Sequence, residues 1–378
     1  MKSQDNIKKF EYIDILRGIA ILGVIAVHSY PGIDNLSLLT CYIFQYGQLG
    51  VQLFFFASAL TLCLSISERN ENSITNFYAR RFFRIAPLYY FGIFLYFMQK
   101  FLTAYYINGG TSVPPGYTIT SILLNIFFVH GFHPVYFNQL VPGGWSIATE
   151  MAFYCIFPFL YILLSTFKLR IFIIFSLTIS ICSFLIQLIY IYNIEPILVE
   201  KHILNRVVLN DGFGFIYALI LNQINVFLIG MITFKLLKKN ITHVQISFAV
   251  LLMIVSCFIL NTSTYKTGVN GFFFPILSTV SFGIIAVKLS NVDKFNTKIS
   301  RILIRIGQFS FSMYILHFII LDLLHFILDN TLFKAIDIAE VKLLITFLSL
   351  LFFTYLASNI TNRFVEKPGI KLGKRFIK

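Results

Sequence analysis

An aspartate, an arginine and a histidine interrupt an otherwise apolar stretch near the start of the chain, at Asp14, Arg17 and His28. In a helix, the eleven-residue step from Arg17 to His28 leaves the two side chains within about 20° of each other and separates them by about 16 Å along the axis. One helix face would then carry a cation near the cytoplasmic end of the helix and an imidazole deeper in the membrane. The alternative is that Arg17 only pairs with Asp14 one turn away and that His28 bonds a carbonyl group.

Three arginines, Arg80, Arg81 and Arg84, form the second group of candidate residues. Arg81 and Arg84 share a helix face at i, i+3, and planar guanidinium groups bind phosphate in a bidentate manner. This pair could therefore hold an anionic cosubstrate from the cytosol. The alternative is a cationic anchor at the cytoplasmic membrane surface, flanked by aromatic side chains.

The third group lies on two later stretches, with Trp145 and Glu150 on one and Tyr314 and His317 on the other. A carboxylate within a membrane needs a partner, and a pairing of Glu150 with His28 would orient or activate the imidazole. A structural bond between Glu150 and neighbouring helices explains the residue equally well. Tyr314 and His317, at helical spacing, form a polar stripe that is also typical of hydrogen bonds between membrane helices.

The elements that carry these residues are strongly apolar. Of 378 residues, 57% are hydrophobic and 12% are charged, and the mean hydropathy is +0.80, whereas a soluble domain has roughly a quarter charged residues. Several stretches lack one-sided periodicity and approach the ~20 residues that span a bilayer. The alternating segments of a membrane barrel are absent from the sequence, so the predicted fold is all-α, a polytopic bundle of transmembrane helices.

Ten transmembrane helices are predicted, with bounds accurate to a few residues. The predicted spans are 12–31, 45–66, 85–106, 145–165, 171–192, 212–234, 243–261, 270–288, 307–329 and 342–362. Between the third and fourth spans, 107–144 is rich in proline and glycine, and its apolar piece is too short to cross a bilayer. This part is predicted to be a re-entrant or interfacial segment.

Lysine and arginine are concentrated in alternate connections, and the cytoplasmic loops of membrane proteins retain such cations. Both termini are therefore predicted to be cytoplasmic, with short tails at about 1–11 and 364–378 and a single membrane domain over 1–378. Anionic membrane lipid accounts for the formal net charge of +14, so no nucleic acid partner is inferred. The five cysteines lack paired spacing, and no metal site is predicted.

Six motifs, taken in order, resemble the acyltransferase-3 family of integral membrane acyltransferases across about the whole chain. They are IDILRG at 13–18 followed by His28, GVQLFFF at 50–56, FYARRFFRIAP at 77–87, WSIATE at 145–150, FSMYILH at 311–317 and VEKP at 365–368. Each motif is weak alone, but six in the family's order on the expected helices are specific. One departure is Gln52, where the family often has aspartate.

The resemblance implies O-acylation: an acyl group, commonly acetyl, passes from cytosolic acyl-CoA as cosubstrate to a hydroxyl group of an extracytoplasmic glycan or lipid-linked sugar. It implies that His28 is the essential histidine and that Arg17, Arg81 and Arg84 serve the donor. No permanently bound cofactor is implied. Some members carry an extracytoplasmic hydrolase-like domain that completes the transfer. Because this chain continues only a short way past Glu366, it is expected to act alone or with a separate partner protein. The expected location is the cytoplasmic membrane of a bacterium.

We therefore expect the donor's phosphates to dock on the arginines and its arm to extend along the first helix toward His28. His28 would act as general base toward the acceptor hydroxyl or accept the acyl group covalently, with Glu150 or His317 setting its tautomer. Supporting roles are expected for Asp14, Trp145, Tyr314 and His317. The main alternative is a transporter or exporter of a glycan or lipid-linked sugar, and a noncatalytic membrane scaffold or sensor is a third.

Overall fold

The computed structural model describes residues 11–69, 73–110, 113–200, 214–261, 270–331, 333 and 336–377. The regular structure of these residues is helical, with no β-strand. Within the same ranges, ten helices are long and apolar enough to span a membrane. The prediction of a ten-helix, multi-pass membrane protein is confirmed.

The α-helices are numbered along the chain. The first eight are α1 (Glu11–Ser29), α2 (Leu38–Gln45), α3 (Leu49–Arg69), α4 (Ile74–Asn108), α5 (Ile119–Ile126), α6 (Gly144–Thr166), α7 (Leu169–Ile189) and α8 (Glu195–Glu200). They are followed by α9 (Phe215–Ala218), α10 (Ile220–Leu236), α11 (His243–Asn261), α12 (Asn270–Ser290), α13 (Lys298–Asn330), α14 (Ala339–Thr361) and α15 (Lys367–Lys374). Short 3₁₀ turns occupy Tyr46–Gln48 and His130–Phe132, and π-helical turns occupy Tyr190–Ile194 and Asn362–Glu366.

Two helices, α4 and α13, begin well before their predicted spans. The Ser73 side chain caps α4 by accepting from the Asn76 backbone N–H, and the Thr297 side chain caps α13 by accepting from the Ser300 backbone N–H. Such caps stabilise a helix start. The extensions carry several arginines and lysines, which lower the hydropathy on which a span prediction depends, although these residues form helices readily.

α1 and α13 approach each other so closely that their contact requires glycine. A Cβ atom on Gly18 would collide with the carbonyl oxygen of Leu303, and one on Gly307 would collide with the carbonyl oxygen of Asp14. Small residues allow such close backbone approach between membrane helices. The same contact brings the Gln308 amide within 3.4 Å of the Asp14 carboxylate, and it sets the later turns of α1 against α13.

The segment between α4 and α6 is tied to both helices by polar side chains. The Tyr89 hydroxyl donates to Asn125 Oδ1 at 2.7 Å and lies 3.1 Å from His130 Nε2. His130 Nε2 also lies 3.1 Å from the Gly144 carbonyl oxygen, and since that oxygen can only accept, Nε2 carries a proton. These bonds fix the start of α6 against α4, whereas the depth of the segment in a bilayer stays a prediction.

The predicted C-terminal tail contains α15, and a buried carboxylate anchors the turn before it. Glu366 accepts hydrogen bonds from Ser312 Oγ at 2.9 Å and from Asn362 Nδ2 at 3.0 Å. The bond to Ser312 joins the start of α15 to α13. Almost all of the predicted N-terminal tail, at about 1–11, lies outside the described residues, and the cytoplasmic location of both termini stays a prediction.

Candidate active site

Five helices, α1, α3, α4, α6 and α13, enclose a space that we call the arginine cavity, with an empty volume of about 670 Å³. Its charged lining consists of Arg17, Arg81, Arg84 and Glu150. Its hydroxyl groups belong to Ser58, Thr61, Ser146, Tyr154, Ser310 and Tyr314. The three arginines predicted to serve the donor therefore meet in one place, together with two further predicted site residues, Glu150 and Tyr314.

Arg17 is held in the cavity wall by α3 as well as by its own helix. Its Nη2 donates to Thr61 Oγ1 at 3.1 Å, and its Nη1 lies 3.9 Å from Asp14 Oδ1. The Thr61 hydroxyl donates to the Ala57 carbonyl at 2.6 Å, so its oxygen is free to accept from Arg17. The ion pair with Asp14 that the sequence offered as an alternative is present, but it is long, and Arg17 lines the cavity as well.

Glu150 is bonded to α3 and to its own helix. Ser58 Oγ and the Tyr154 hydroxyl each donate to Glu150 Oε1 at 2.5 Å, a length typical of a hydroxyl group donating to a carboxylate. These are the bonds expected of a carboxylate that ties neighbouring helices together, which was the alternative to a pairing with His28. They fix the carboxyl group of Glu150 in the wall of the cavity that the arginines also line.

Arg81 lies beside the same tyrosine. Its guanidinium carbon lies 6.0 Å from the ring centroid of Tyr154 and 5.9 Å from that of Phe77, within the range of cation–π attraction. Arg81 Nε is buried and has no hydrogen-bond partner among the described residues. An unpaired buried donor destabilises a protein, so this guanidinium is suited to an anion that enters the cavity.

A left-handed glycine just before α6 fixes the position of Tyr314, which lines the cavity. Gly143 has a φ of 78°, a conformation that glycine adopts readily. Its carbonyl accepts from Ser146 Oγ at 2.9 Å and from the Tyr314 hydroxyl at 3.1 Å, and the hydroxyl oxygens of Ser146 and Tyr314 are 2.8 Å apart. A Cβ atom on Gly143 would lie only 2.8 Å from the Tyr314 hydroxyl oxygen.

His28 is not among the residues that line the arginine cavity. It belongs to a group of rings that we call the histidine cluster, formed by His28, Tyr314, His317 and Phe318. The His28 ring centroid lies 5.3 Å from that of His317 and 4.4 Å from that of Phe318, and the His317 centroid lies 5.6 Å from that of Tyr314. Tyr314 therefore belongs to both regions, and one turn of α13 connects the cavity to His28.

The hydrogen bonding of His317 determines which of its ring nitrogens carries the proton. His317 is fully buried, and its Nδ1 lies 2.6 Å from the Tyr314 carbonyl oxygen. Because a carbonyl oxygen only accepts, the neutral imidazole has its proton on Nδ1. Nε2 is then an acceptor, and within the described part of the chain it has no hydrogen-bond partner. The ring beside His28 thus offers a lone pair that could orient a hydroxyl group or take a proton.

Trp145 and Gln52 lie behind the cavity, where both contact Tyr217. The Trp145 ring centroid lies 6.1 Å from that of Phe55 and 5.8 Å from that of Tyr217. Gln52 is fully buried, and its Nε2 donates to the Tyr217 hydroxyl at 2.6 Å. The side chain at position 52 therefore makes a hydrogen bond between uncharged groups, to Tyr217.

The sequence did not identify Ser58, Thr61 and Tyr154 as site residues. Tyr154 follows Glu150 by one helical turn, so helical spacing could have identified it. Ser58 and Thr61 lie in an apolar stretch of α3, and only tertiary packing places them beside the charged residues. Across the ranges that the structure describes, no group of three or more His, Cys, Asp or Glu side chains could hold a metal ion.

Comparison with known proteins agrees with the resemblance found in the motifs. A family model described as an acyltransferase domain matches residues 10–363. The "Acyltransferase MdmB" of Streptomyces mycarofaciens is 24% identical over 382 residues, a match that covers 95% of this chain and 92% of the relative. No solved structure matches.

A second relative is longer than this chain. The "Putative O-acetyltransferase" of Staphylococcus aureus (strain COL) is 27% identical over 401 residues, which covers 97% of this chain. The chain spans 58% of that relative's length. Both relatives come from bacteria, in agreement with the expected bacterial membrane.

Proposed function

This chain belongs to the acyltransferase-3 family and is an O-acyltransferase, and we propose that it transfers an acyl group, most simply acetyl, from cytosolic acyl-CoA. The proposed acceptor is a hydroxyl group of an extracytoplasmic glycan or lipid-linked sugar. The membrane protein would thereby join a donor and an acceptor that are found on opposite sides of the bilayer. Membership of this family favours acyl transfer over the alternatives of a transporter and a scaffold.

The convergence of Arg17, Arg81 and Arg84 on one cavity is the observation that carries the donor assignment. Acyl-CoA has a diphosphate and a phosphate monoester, and guanidinium groups bind phosphate oxygens with directional, charge-assisted hydrogen bonds. The buried, unpartnered Nε of Arg81 supports an anionic ligand in particular. Since Glu150 is the one carboxylate among the residues that line the cavity, the lining has an excess of positive charge.

In the proposed reaction, the neutral imidazole of His28 takes the proton of the acceptor hydroxyl as its oxygen attacks the thioester carbonyl carbon. The new C–O bond forms, the C–S bond breaks, and the proton passes from His28 to the departing sulfur, so that CoA leaves as a thiol. In the covalent form of the mechanism, an imidazole nitrogen of His28 attacks the carbonyl carbon, the C–S bond breaks, and the thiol leaves with the imidazole's proton. The acceptor oxygen then attacks the acyl carbon, the C–N bond breaks, and the acceptor's proton returns to the imidazole. His317, beside His28, would position the ring or share its proton in either form.

The two ends of α1 support entry of the substrates from opposite sides. Arg17 lies in the first half of this helix, and His28 is its penultimate residue. Just beyond the end of α1, residues 32–35 line a separate opening with Asp329, Asp337 and Lys342, with an empty volume of about 800 Å³. Carboxylate and ammonium groups of this kind bind sugar hydroxyls by hydrogen bonds, and we assign this side to the acceptor.

The function is tested with the detergent-purified chain and acetyl-CoA, by following the release of the CoA thiol, and by mass spectrometry of surface glycans from cells with and without the gene. We expect thiol release that increases with an acceptor, and loss of an acetyl group from a glycan when the gene is deleted. A burst of thiol without acceptor, with acetyl bound to His28, selects the covalent form. The assignment would be refuted if no thiol were released and no glycan changed.

A further inference from the structure

The helix α13 continues well past the end of α1, and this last part carries ionisable side chains that have no role in the acyl transfer described so far. The α1 helix ends at Ser29, where the ring centroid of His28 lies 4.4 Å from that of Phe318. From Phe318, α13 continues to Asn330, a distance of about 18 Å at 1.5 Å per residue. The face of α13 that meets His28 therefore extends several turns beyond the last residue of α1.

Three ionisable residues lie on this face beyond Phe318, and we call them the polar row. Asp322, His325 and Asp329 follow Phe318 at i+4, i+7 and i+11. At about 100° per residue, all four positions fall within about 60° around the helix. Asp322 and Asp329 are exposed, and His325 is half-buried. The polar row therefore lies on the same side of α13 as the ring that contacts His28, and Asp322 is the member nearest to that ring.

The polar row follows the border between the buried face and the exposed apolar face of α13. The buried side chains beside it are Leu321, Leu324 and Leu328, and the exposed apolar ones are Leu323 and Phe326. A charged side chain is costly in contact with lipid, and ionisable residues in membrane helices commonly line the path of a polar substrate. The position of the row at this border thus favours contact with a polar ligand.

Asp322 is held in place by α4. Gln99 Nε2 donates to Asp322 Oδ2 at 2.8 Å. Among the residues that the structure describes, Asp322 forms no ion pair, and Lys100, the next residue of α4, donates through Nζ to the Gln139 carbonyl oxygen at 3.3 Å. Because an ionised carboxylate can accept about four hydrogen bonds, Asp322 keeps the capacity to accept from the hydroxyl groups of a ligand.

Each end of the polar row meets a region that the proposed function uses. At the far end, Asp329 lines the opening that we assign to the acceptor. At the near end, the ring centroid of Phe318 lies 4.2 Å from that of His317, whose buried Nε2 has no hydrogen-bond partner in the described part of the chain. A sugar that enters through the opening would pass Asp322 before one of its hydroxyl groups reached His28.

We propose that Asp322 binds the acceptor, with its carboxylate accepting hydrogen bonds from the hydroxyl groups that flank the reacting hydroxyl of the sugar. His325 and Asp329 contact the next sugar unit. This inference rests on the proposed transfer to a glycan or lipid-linked sugar. The two oxygens of a carboxylate match a pair of neighbouring hydroxyl groups, so the preferred acceptor is a sugar with a free hydroxyl beside the one that is acylated. Asp322 is then a determinant of acceptor affinity and not of donor affinity.

The test uses the detergent-purified full-length chain, acetyl-CoA, and surface glycan isolated from cells that lack the gene. Asp322→Asn removes the charge and keeps an oxygen that can accept from Gln99. We expect its KM for the glycan to rise about tenfold, because hydrogen bonds to a charged group are the stronger ones. Its KM for acetyl-CoA should stay within about twofold. Asp322→Glu, which keeps the carboxylate, should recover part of the affinity, and Asp293→Asn, at an exposed position before α13, is the matched control and should change neither constant.

Gln99→Ala separates acceptor binding from a purely structural role of Asp322, because it breaks the bond between α4 and α13 and leaves the carboxylate in place. We expect this variant to raise the KM for the glycan by less than about threefold. If Asp322 only joined the two helices, Gln99→Ala would lower the temperature of thermal unfolding and raise this KM at least as much as Asp322→Asn, which would overturn the proposal. If the wild type acetylates the glycan and Asp322→Asn has the wild-type KM, the proposed function stands and the assignment of Asp322 fails. If the wild type transfers no acetyl group to the glycan, the proposed function fails and this assignment fails with it.

Discussion

The arginine cavity and the histidine cluster share α1, α13 and Tyr314, yet their side chains have opposite character. The cavity carries three arginines and one carboxylate, and it leaves the Nε of Arg81 without a partner among the described residues. The histidine cluster is made of packed rings, and His317 Nε2 within it has no hydrogen-bond partner in the described part of the chain. One region is suited to holding an anion, and the other to moving a proton.

Binding and chemistry can therefore be separated along one pair of helices. Positive charge in the arginine cavity would serve the donor's phosphates, whereas a wall of rings beside His28 would exclude water that hydrolyses a thioester. Tyr314 contributes to both regions and is fixed by Gly143 and Ser146. Substitutions in the two regions should therefore change different kinetic constants.

The largest effect is expected for His28→Ala. Removing the proposed base or nucleophile should lower kcat by about 10²–10⁴-fold, while the dissociation constant of CoA stays within about twofold because His28 does not line the arginine cavity. Both constants are measured on the purified protein, by thiol release and by calorimetry. His243→Ala, which changes an exposed histidine at the start of α11, is the control. A wild-type kcat in His28→Ala would show that the histidine cluster has no chemical role.

For Arg84→Ala, we expect the KM to change and kcat to stay nearly the same. Arg84 lines the arginine cavity, and loss of a charge-assisted hydrogen bond to phosphate costs about 1.5–3 kcal/mol, so the KM for acetyl-CoA should rise about 10–100-fold. The kcat should change by less than about threefold. Arg84→Lys should restore part of the affinity, since it keeps the charge and loses the bidentate geometry. Arg301→Ala, an exposed position on α13, should have no effect, and a fall in kcat alone for Arg84→Ala would contradict the division.

Much of this architecture could be predicted from sequence because its signals are local. Apolar length predicted the ten spans, and the spacing of Arg81 and Arg84 predicted that they share a face. The helical extensions of α4 and α13 were missed, because their arginines and lysines lower the hydropathy although the chain remains helical. A span prediction detects the part of a helix that lies in lipid and does not detect a continuation beyond it.

The neighbours of each residue could not be predicted, because periodicity gives a face and not the helix that covers it. Arg17 and His28 were placed on one face of α1, yet Arg17 lines the cavity and His28 packs against His317. Glu150 was expected to need a partner, and packing supplies Ser58 of α3. These outcomes depend on close contacts such as that at Gly18, whose requirement for glycine is visible only when both helices are in place.

An intermediate effect is expected where the two regions meet. Tyr314→Phe keeps the ring and removes the hydroxyl that bonds Gly143 and Ser146, at a cost in folding stability of about 1 kcal/mol. Because the lost hydroxyl no longer holds the ring between cavity and cluster, kcat should fall about 5–10-fold. Because the ring itself stays, the KM should change less than about threefold. Thermal unfolding and steady-state kinetics measure the two effects. Tyr314→Leu, which removes the ring as well, should lower kcat further; if both variants match wild type, Tyr314 does not connect the regions.

The smallest effect on kcat is expected for a substitution of His130, a histidine that lies outside the histidine cluster. Burial lowers the pKa of His130 below its ordinary value, and its Nε2 proton is shared with the Tyr89 hydroxyl and the Gly144 carbonyl. The unfolded chain, with a histidine pKa near 6.5, then binds a proton that the folded chain binds less readily. The contribution to stability is therefore present above about pH 6.5 and is lost as the pH falls below it, by at most about 1.4 kcal/mol per pH unit.

Thermal unfolding of wild type and His130→Gln at pH 7.5 and 5.5 measures this contribution. The amide of glutamine can donate a hydrogen bond as Nε2 does but does not titrate, so the loss of stability on acidification should be smaller in the variant by a few degrees. His243→Gln, at an exposed position, should retain the wild-type dependence. At pH 7.5, kcat per folded molecule should stay within about twofold for His130→Gln, because this histidine stabilises the start of α6 and does not contact the cluster's rings. A His130→Gln variant that lost kcat as His28→Ala does would extend the chemistry to the segment before α6 and break the distinction between a cavity that binds and a cluster that reacts.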